Sequence, residues 1–275
     1  IEVGAFEILH VLSSSRESTL HLCRERDGLK LYAIKIINKN RISVSGRSKN
    51  ICYEQNILKK IEELEHPFLP PLYWNFQDEV SVYFVTDFYS GGNLYEKLTQ
   101  DGPFDCDRAH FYACELVAGM AALHGAGIIH RDLKPENIMI DIYGHIVITG
   151  FSCAMMPTPC GAPCSGDIPE FGARGYQAPE LFLGWMHDFS VDCWSFGAIL
   201  YTMLYASHPF VAENDYHNNA LLQTKVVHCS LSFPVLKNAH IGWVARDLIT
   251  KCLERNPAIR LKTSDIKSHN YFCTV

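Results

Sequence analysis

The sequence predicts an α+β protein in two lobes: a small antiparallel sheet with one main helix over residues 1–88, and a larger helical lobe over residues 89–275. Three observations lead there. Period-two alternation dominates the first third of the chain, as in Phe6-Glu7-Ile8-Leu9-His10-Val11-Leu12, and a strand sends successive side chains to opposite faces. That third holds one stretch of helical spacing, formed by Ile51, Glu54, Ile57, Leu58 and Ile61. Beyond Gly91-Gly92 the apolar period becomes helical.

Taken in order, Phe6 to Leu12 and Thr19 to Arg24 alternate as a hairpin would. Leu31-Tyr32-Ala33-Ile34-Lys35-Ile36-Ile37 is a third, largely apolar strand. After the helix, Pro67, Pro70 and Pro71 forbid helical continuation. Val80 to Asp87 alternates as another strand pair would require, and Asp87 to Gly92 reads as a hinge. Phe111 to Leu123, Ser190 to Leu204 and Trp243 to Cys252 follow as helices, the second apolar all round and therefore expected to be buried.

With 275 residues, 48% of them hydrophobic, the chain has material for a substantial core. A formal net charge of -6 argues against nucleic acid as a partner, because phosphate binding wants clustered Lys and Arg. No apolar run reaches the roughly 18 residues that would span a bilayer. The first residue is Ile1 and no signal-peptide pattern follows, so the chain is expected to be cut from something longer. Its 11 cysteines form no regular framework. Cys153, Cys160 and Cys164 lack a fourth partner for a zinc site, and the simpler expectation is reduced thiols in a cytoplasmic or nuclear protein.

One run carries chemistry: His130-Arg131-Asp132-Leu133-Lys134-Pro135-Glu136-Asn137. Around it stand Tyr32-Ala33-Ile34-Lys35, His66-Pro67-Phe68, Gly91-Gly92-Asn93-Leu94, Gly144-His145-Ile146, Ala178-Pro179-Glu180, Ser190 to Gly197 and Asn256-Pro257-Ala258-Ile259-Arg260. In that order these phrases resemble a eukaryotic protein kinase domain, most closely the AGC group of serine/threonine kinases. The resemblance spans nearly the whole chain. It implies the bilobal kinase fold, ATP and Mg2+ as cofactors, and a protein substrate or a regulatory protein partner.

The resemblance also assigns roles. Lys35 would hold the α- and β-phosphates and pair with Glu54, and Asp132 would accept the substrate hydroxyl's proton. Lys134 would meet the γ-phosphate, and Asn137 would ligate metal. Leu12, Leu20, Ala33 and Met139 fall at adenine-contacting positions. Thr86 falls at the gatekeeper, before hinge residues Asp87, Phe88 and Tyr89. Leu58, Leu72, His130 and Phe151 match the stacked hydrophobic spine. Glu180 with Arg260 matches a buried ion pair, and Asp192 an anchor for the catalytic-loop backbone.

The departures from the family point one way. Gly150 stands where the metal-binding aspartate belongs, and glycine has no ligand. That loss is worth about 10³-fold or more in rate. Asp141, nearby, is expected to start a turn instead of reaching a metal. Ser13, Ser15 and Ser18 replace the glycines of the phosphate-covering loop. Serine in left-handed geometry costs about 1–2 kcal/mol, so a reshaped loop and weakened phosphate contacts are expected. In the activation segment Pro169 replaces the phosphorylated threonine, with Glu170 beside it as an acidic stand-in facing Arg131. Thr158 and Ser165 are the other hydroxyl candidates. Ala173 replaces a threonine that would bond Asp132 and Lys134. Of the acidic residues that select basic peptides only Glu136 remains clearly placed, with Asn93 where an acid is common.

The expectation is therefore a kinase-fold, ATP-binding domain with impaired phosphoryl transfer, acting by binding, with Mg2+ weakened or absent. A working serine/threonine kinase with atypical metal ligation and a nucleotide-free scaffold stand as alternatives.

Overall fold

The computed structural model describes residues 2–15, 17–41, 48–157, 174–210, 218–234 and 241–273. Strands β1 (Phe6–Ser14), β2 (Ser18–Glu25), β3 (Leu31–Asn38), β4 (Leu72–Gln77) and β5 (Ser81–Asp87) form an antiparallel sheet of order β1-β2-β3-β5-β4. Val80 to Asp87 does not hold a strand pair. Residues 81–87 are one strand, and its partner β4 starts at Leu72, directly after Pro71. Asp78 fixes the intervening turn by accepting from Val80 N (2.8 Å), Ser81 N (2.7 Å) and the Tyr83 hydroxyl (2.7 Å). An aspartate doing this leaves no need for glycine, which is why the turn was hard to see.

Register separates the sheet's faces, because directly paired residues share a face. Leu20 pairs with Lys35, Leu22 with Ala33, Ala33 with Thr86, Lys35 with Phe84 and Ile37 with Val82. Ile37, Val82 and Phe84 from this set enter the main core. The other face carries Tyr32, Ile34, Tyr83 and Val85, which bury with Phe6 and Cys23 in a smaller core of their own. Phe76 stacks on Tyr83 there at 4.8 Å.

Helix α1 (Ser48–Glu62) lies against the inner face and buries Ile57, Leu58 and Ile61. The helical lobe comprises α2 (Leu94–Asp101), α3 (Cys106–Gly125), α4 (Pro179–Phe182), α5 (Ser190–Tyr205), α6 (Asn219–His228), α7 (Trp243–Cys252), α8 (Thr263–Lys267) and α9 (Asn270–Cys273). Every residue of α5 is buried, as its predominantly apolar sequence leads one to expect, and its polar members Ser190, Asp192, Ser195 and Thr202 are buried with the rest. Helix α2 is set by a capping box, in which Asn93 Oδ1 accepts from Glu96 N (2.9 Å) and Glu96 Oε2 accepts from Asn93 N (3.1 Å). Helix α3 starts earlier than its apolar period suggests because Asp105 caps it, accepting from Arg108 N at 2.8 Å. Among the described residues no helix is long and apolar enough to cross a membrane.

Candidate functional site

The cleft between sheet and helices is closed at its back by the hinge. Gly91 N donates to Ile140 O (3.0 Å) and Ile140 N to Gly92 O (2.9 Å). This seats the hinge beside a small hairpin, β6 (Ile138–Ile140) with β7 (Ile146–Ile148). A Cβ on Gly91 would lie 2.5 Å from the Ile140 carbonyl oxygen, so glycine is required there. Asp141 turns β6 into β7, accepting from Tyr143 N (2.8 Å) and His145 N (2.9 Å). Its carboxylate is committed to the turn, as expected.

Residues of the run His130–Asn137 converge just before β6. Lys134 Nζ lies 3.1 Å from Asp132 Oδ2. Asn137 Nδ2 donates to the same oxygen (3.0 Å) and to the Asp132 carbonyl (2.7 Å). Beneath them Asp192, buried in the first turn of α5, accepts from His130 N and Arg131 N, each at 2.8 Å. Those bonds hold Arg131 at φ 64. Burial raises the Asp192 carboxyl, but its bonds to His124 and to the loop outweigh that and bring it below the ordinary range. His124 was missed in the sequence. It bonds Asp192 Oδ2 (2.9 Å) and Thr263 (2.6 Å) across long chain separations that no local pattern reports.

Across the cleft, Lys35 Nζ meets Glu54 Oε1 at 2.5 Å, joining β3 to α1. Glu54 is buried, so the ammonium satisfies a carboxylate that would otherwise be costly to hide. Leu20, Ala33 and Thr86 share the Lys35 face of the sheet. Met139 bridges Asn93 beside the hinge, and Leu12 stands at a register shift in β1. Tyr89 is buried, and burial raises its hydroxyl. Asp87 departs from its companions. Paired with Tyr32, it lies on the outer face, where its carboxylate meets Lys30 (2.9 Å) and Tyr73 (3.2 Å). Only its backbone is left to serve the cleft.

Phe151 is buried with its ring 4.9 Å from that of His130, in one core with Leu58 and Leu72. Of the four spine positions, Leu58, Leu72 and Phe151 belong to one core, and His130 joins it through its ring contact with Phe151. Arg260 grips Glu180 with both ends of its guanidinium, at 2.5 and 2.9 Å, with both side chains fully buried.

The departures have local consequences. Gly150 takes left-handed backbone at φ 84, ψ 44. A Cβ there would lie 2.5 to 2.7 Å from the Asn137 side-chain atoms. In the serine hairpin none of the described serines has positive φ. The hairpin instead closes on itself. Ser15 N donates to Ser18 O (2.8 Å), Ser18 N donates to Ser15 Oγ (3.1 Å), and the two hydroxyls lie 3.1 Å apart. Glu136 is largely hidden, burial raises its carboxyl, and its Oε2 has no hydrogen-bond partner.

The sheet face bearing Leu20, Ala33, Lys35 and Thr86 fits a nucleotide: apolar walls lead to one paired cation. Gly150 offers no side-chain oxygen to a metal, and among the described residues no group of three or more His, Cys, Asp or Glu side chains comes together as a metal site. Cys153 is buried and its thiol is pushed up to about 11. Cys160, Cys164, Thr158, Ser165, Pro169, Glu170 and Ala173 lie outside the described residues.

Residues 6–272 match the family described as "Protein kinase domain". The chain is 33% identical to a probable serine/threonine-protein kinase of Dictyostelium discoideum, over 100% of this chain and 58% of that protein. It is 34% identical to serine/threonine-protein kinase Sgk1 of Danio rerio, over 98% of this chain and 60% of the relative. A RAC family serine/threonine-protein kinase homolog of Dictyostelium discoideum is also 34% identical, with 100% of this chain and 59% of the relative covered. The chain thus spans under two thirds of each.

Proposed function

The chain belongs to the protein kinase domain family, with serine/threonine kinases as its relatives, and from that premise we propose that it is an ATP-binding domain whose transfer of phosphate to protein hydroxyls is impaired, so that it acts by binding a protein partner. Protein kinases use ATP and Mg2+. One observation carries the proposal: position 150 is a glycine packed against Asn137, in place of a carboxylate. Magnesium neutralises the charge that develops on the phosphates, and without its ligand several kcal/mol of that stabilisation go. On this reading residues 1–88 and 89–275 are the two lobes, Lys35 holds phosphate with Glu54 orienting its ammonium, and Leu12, Leu20, Ala33, Thr86, Tyr89 and Met139 surround the base. A cytoplasmic or nuclear setting goes with it.

A working kinase is the second reading. It is favoured by the bonded set of Asp132, Lys134 and Asn137, which keeps the base and its neighbours ordered. The separating experiment is a thermal-shift titration with ATP, with and without magnesium, on the chain and on Lys35→Ala, beside a phosphate-transfer assay on a serine peptide. A ligand that binds only the folded state raises the melting temperature. The proposal expects a shift that needs Lys35 and not magnesium, with little transfer. Strict dependence on magnesium together with turnover would favour the working kinase. No shift would leave a scaffold that binds no nucleotide.

A further inference from the structure

We propose that the helical lobe holds a second binding site, remote from the cleft, for a carboxylate carried on a flat apolar group. Its donors are Tyr205 and Arg246, and its walls are the rings around them. The site lies at the C-terminal end of α5. Asp192, beneath the run His130–Asn137, stands in the first turn of that helix, and Tyr205 closes it about 20 Å further along the axis.

Tyr201 and Tyr205 stack at 4.5 Å, and the Phe233 ring sits 5.8 and 6.0 Å from them. The Tyr201 hydroxyl is in use, donating to Ser232 O at 2.9 Å. The guanidinium of Arg246, in the first turn of α7, lies 5.7 Å from the Phe233 ring. Trp243 opens the same helix one turn earlier and is 72% exposed, so its indole stands at the rim beside Arg246.

Two donors in this box have nothing to give to. Tyr205 is 6% exposed, and among the described residues neither its hydroxyl nor Arg246 Nε has a hydrogen-bond partner. Burial raises the Tyr205 hydroxyl and the guanidinium opposes that rise, which places the two groups close together. A bond from the arginine to the phenol oxygen would still leave the phenol hydrogen without an acceptor. Buried donors left unpaired are costly, and native proteins keep few of them. A guanidinium beside a phenol, each with a hydrogen to give, calls for two acceptor oxygens and a negative charge. A carboxylate supplies both. A phosphate would bring nearly two charges to one guanidinium. The rings favour a flat apolar group behind the carboxylate.

The test is an NMR titration of the chain with benzoate, beside benzamide as its uncharged isostere and inorganic phosphate as a bare anion. Benzoate is expected to saturate with a dissociation constant of about 1 mM or below, and benzamide to bind at least about fivefold more weakly. Tyr205→Phe and Arg246→Met are each expected to weaken benzoate about fivefold or more. Tyr205→Phe also separates a site from a structural role. Without ligand it removes only an unpartnered hydroxyl, so its midpoint in urea should equal or exceed that of the parent chain while affinity falls. A lowered midpoint would show that the hydroxyl serves the fold, and overturns the inference. So does benzoate that binds no tighter than benzamide, phosphate that binds tighter than benzoate, or benzoate binding that neither variant moves. With benzoate bound as expected, a peptide carrying one glutamate between apolar residues identifies the source. Tighter binding than benzoate assigns the carboxylate to a protein partner, and weaker binding assigns it to a small molecule. None of these titrations involves Lys35 or nucleotide, so their failure leaves the nucleotide-binding reading untouched.

Discussion

Asn137 fills the space that a side chain at position 150 would need. Its Cγ, Oδ1 and Nδ2 all lie within 2.7 Å of where a Cβ on Gly150 would sit, while its Nδ2 is bonded twice to Asp132. The two positions are therefore coupled.

Restoring the carboxylate has a calculable penalty. Gly150→Asp must push Asn137 off Asp132 and keep an αL backbone. It is expected to lower stability by about 1–3 kcal/mol in denaturant unfolding without nucleotide. Unchanged stability would mean that Asn137 moves freely. If transfer activity nevertheless rises by orders of magnitude in magnesium-ATP, the missing ligand was the defect.

The Lys35–Glu54 pair predicts a pattern across variants. Lys35→Met strands a buried carboxylate and is expected to cost about 1–3 kcal/mol. Lys35→Met/Glu54→Gln should recover much of that, since the stranded charge is gone. A double variant no better than the single one would show that packing, not charge, sets the loss.

Arg260→Leu is expected to be severe, at about 3–5 kcal/mol, because it leaves the Glu180 carboxylate unpaired inside the helical lobe. Arg260 also donates to the Ser190 and Glu254 carbonyls, which lose their partner too. Chemical unfolding measures this directly, and a loss below about 1 kcal/mol would contradict it.

Acid should loosen the fold well above the carboxylate range. Burial lowers His208 from 6.5 to about 3, and burial also lowers His130 and His187. Between pH 6.5 and about 3 the unfolded chain binds a proton at position 208 that the folded chain refuses. Stability therefore falls as pH falls, by up to about 1.4 kcal/mol per pH unit for each such group. His145 has the opposite sign through its bond to Glu115, but it is half-exposed and adds little. Urea unfolding at about pH 7 and about pH 5 tests the slope, and His208→Gln should flatten it. A slope indifferent to that substitution would remove His208 as its source.

Local patterns carried much of this structure. Lys35 was legible as a charge inside an apolar strand, Glu54 as one member of a helical stripe, and Asp141 as a turn-former. Each rests on neighbours close in sequence. His124 was not legible, because its partners Asp192 and Thr263 reach it only through the packing of α3, α5 and α8. The outward aim of Asp87 depends on the β3–β5 register, which alternation within one strand does not fix. Helix α6 has no marked apolar stripe, so its period gave no signal. The resemblance placed Gly150 at the metal position, but only coordinates reveal that Asn137 leans into the gap.

The grip of Asp192 on His130 and Arg131 has a mechanical corollary. A protein that signals through shape needs an element with two comparably stable arrangements. The segment from His130 to Asn137 is nailed from below by a carboxylate with no exposed surface and from the side by Thr149, whose carbonyl accepts from His130 at 2.8 Å. If nucleotide binds as proposed, the change among the described residues is expected in the sheet, its serine hairpin and helix α1, with this bonded segment staying in place. Hydrogen exchange with and without ADP would map this as altered protection in β1, β2 and α1 and constant protection at Arg131 and Asp132; a change centred on the loop would refute it.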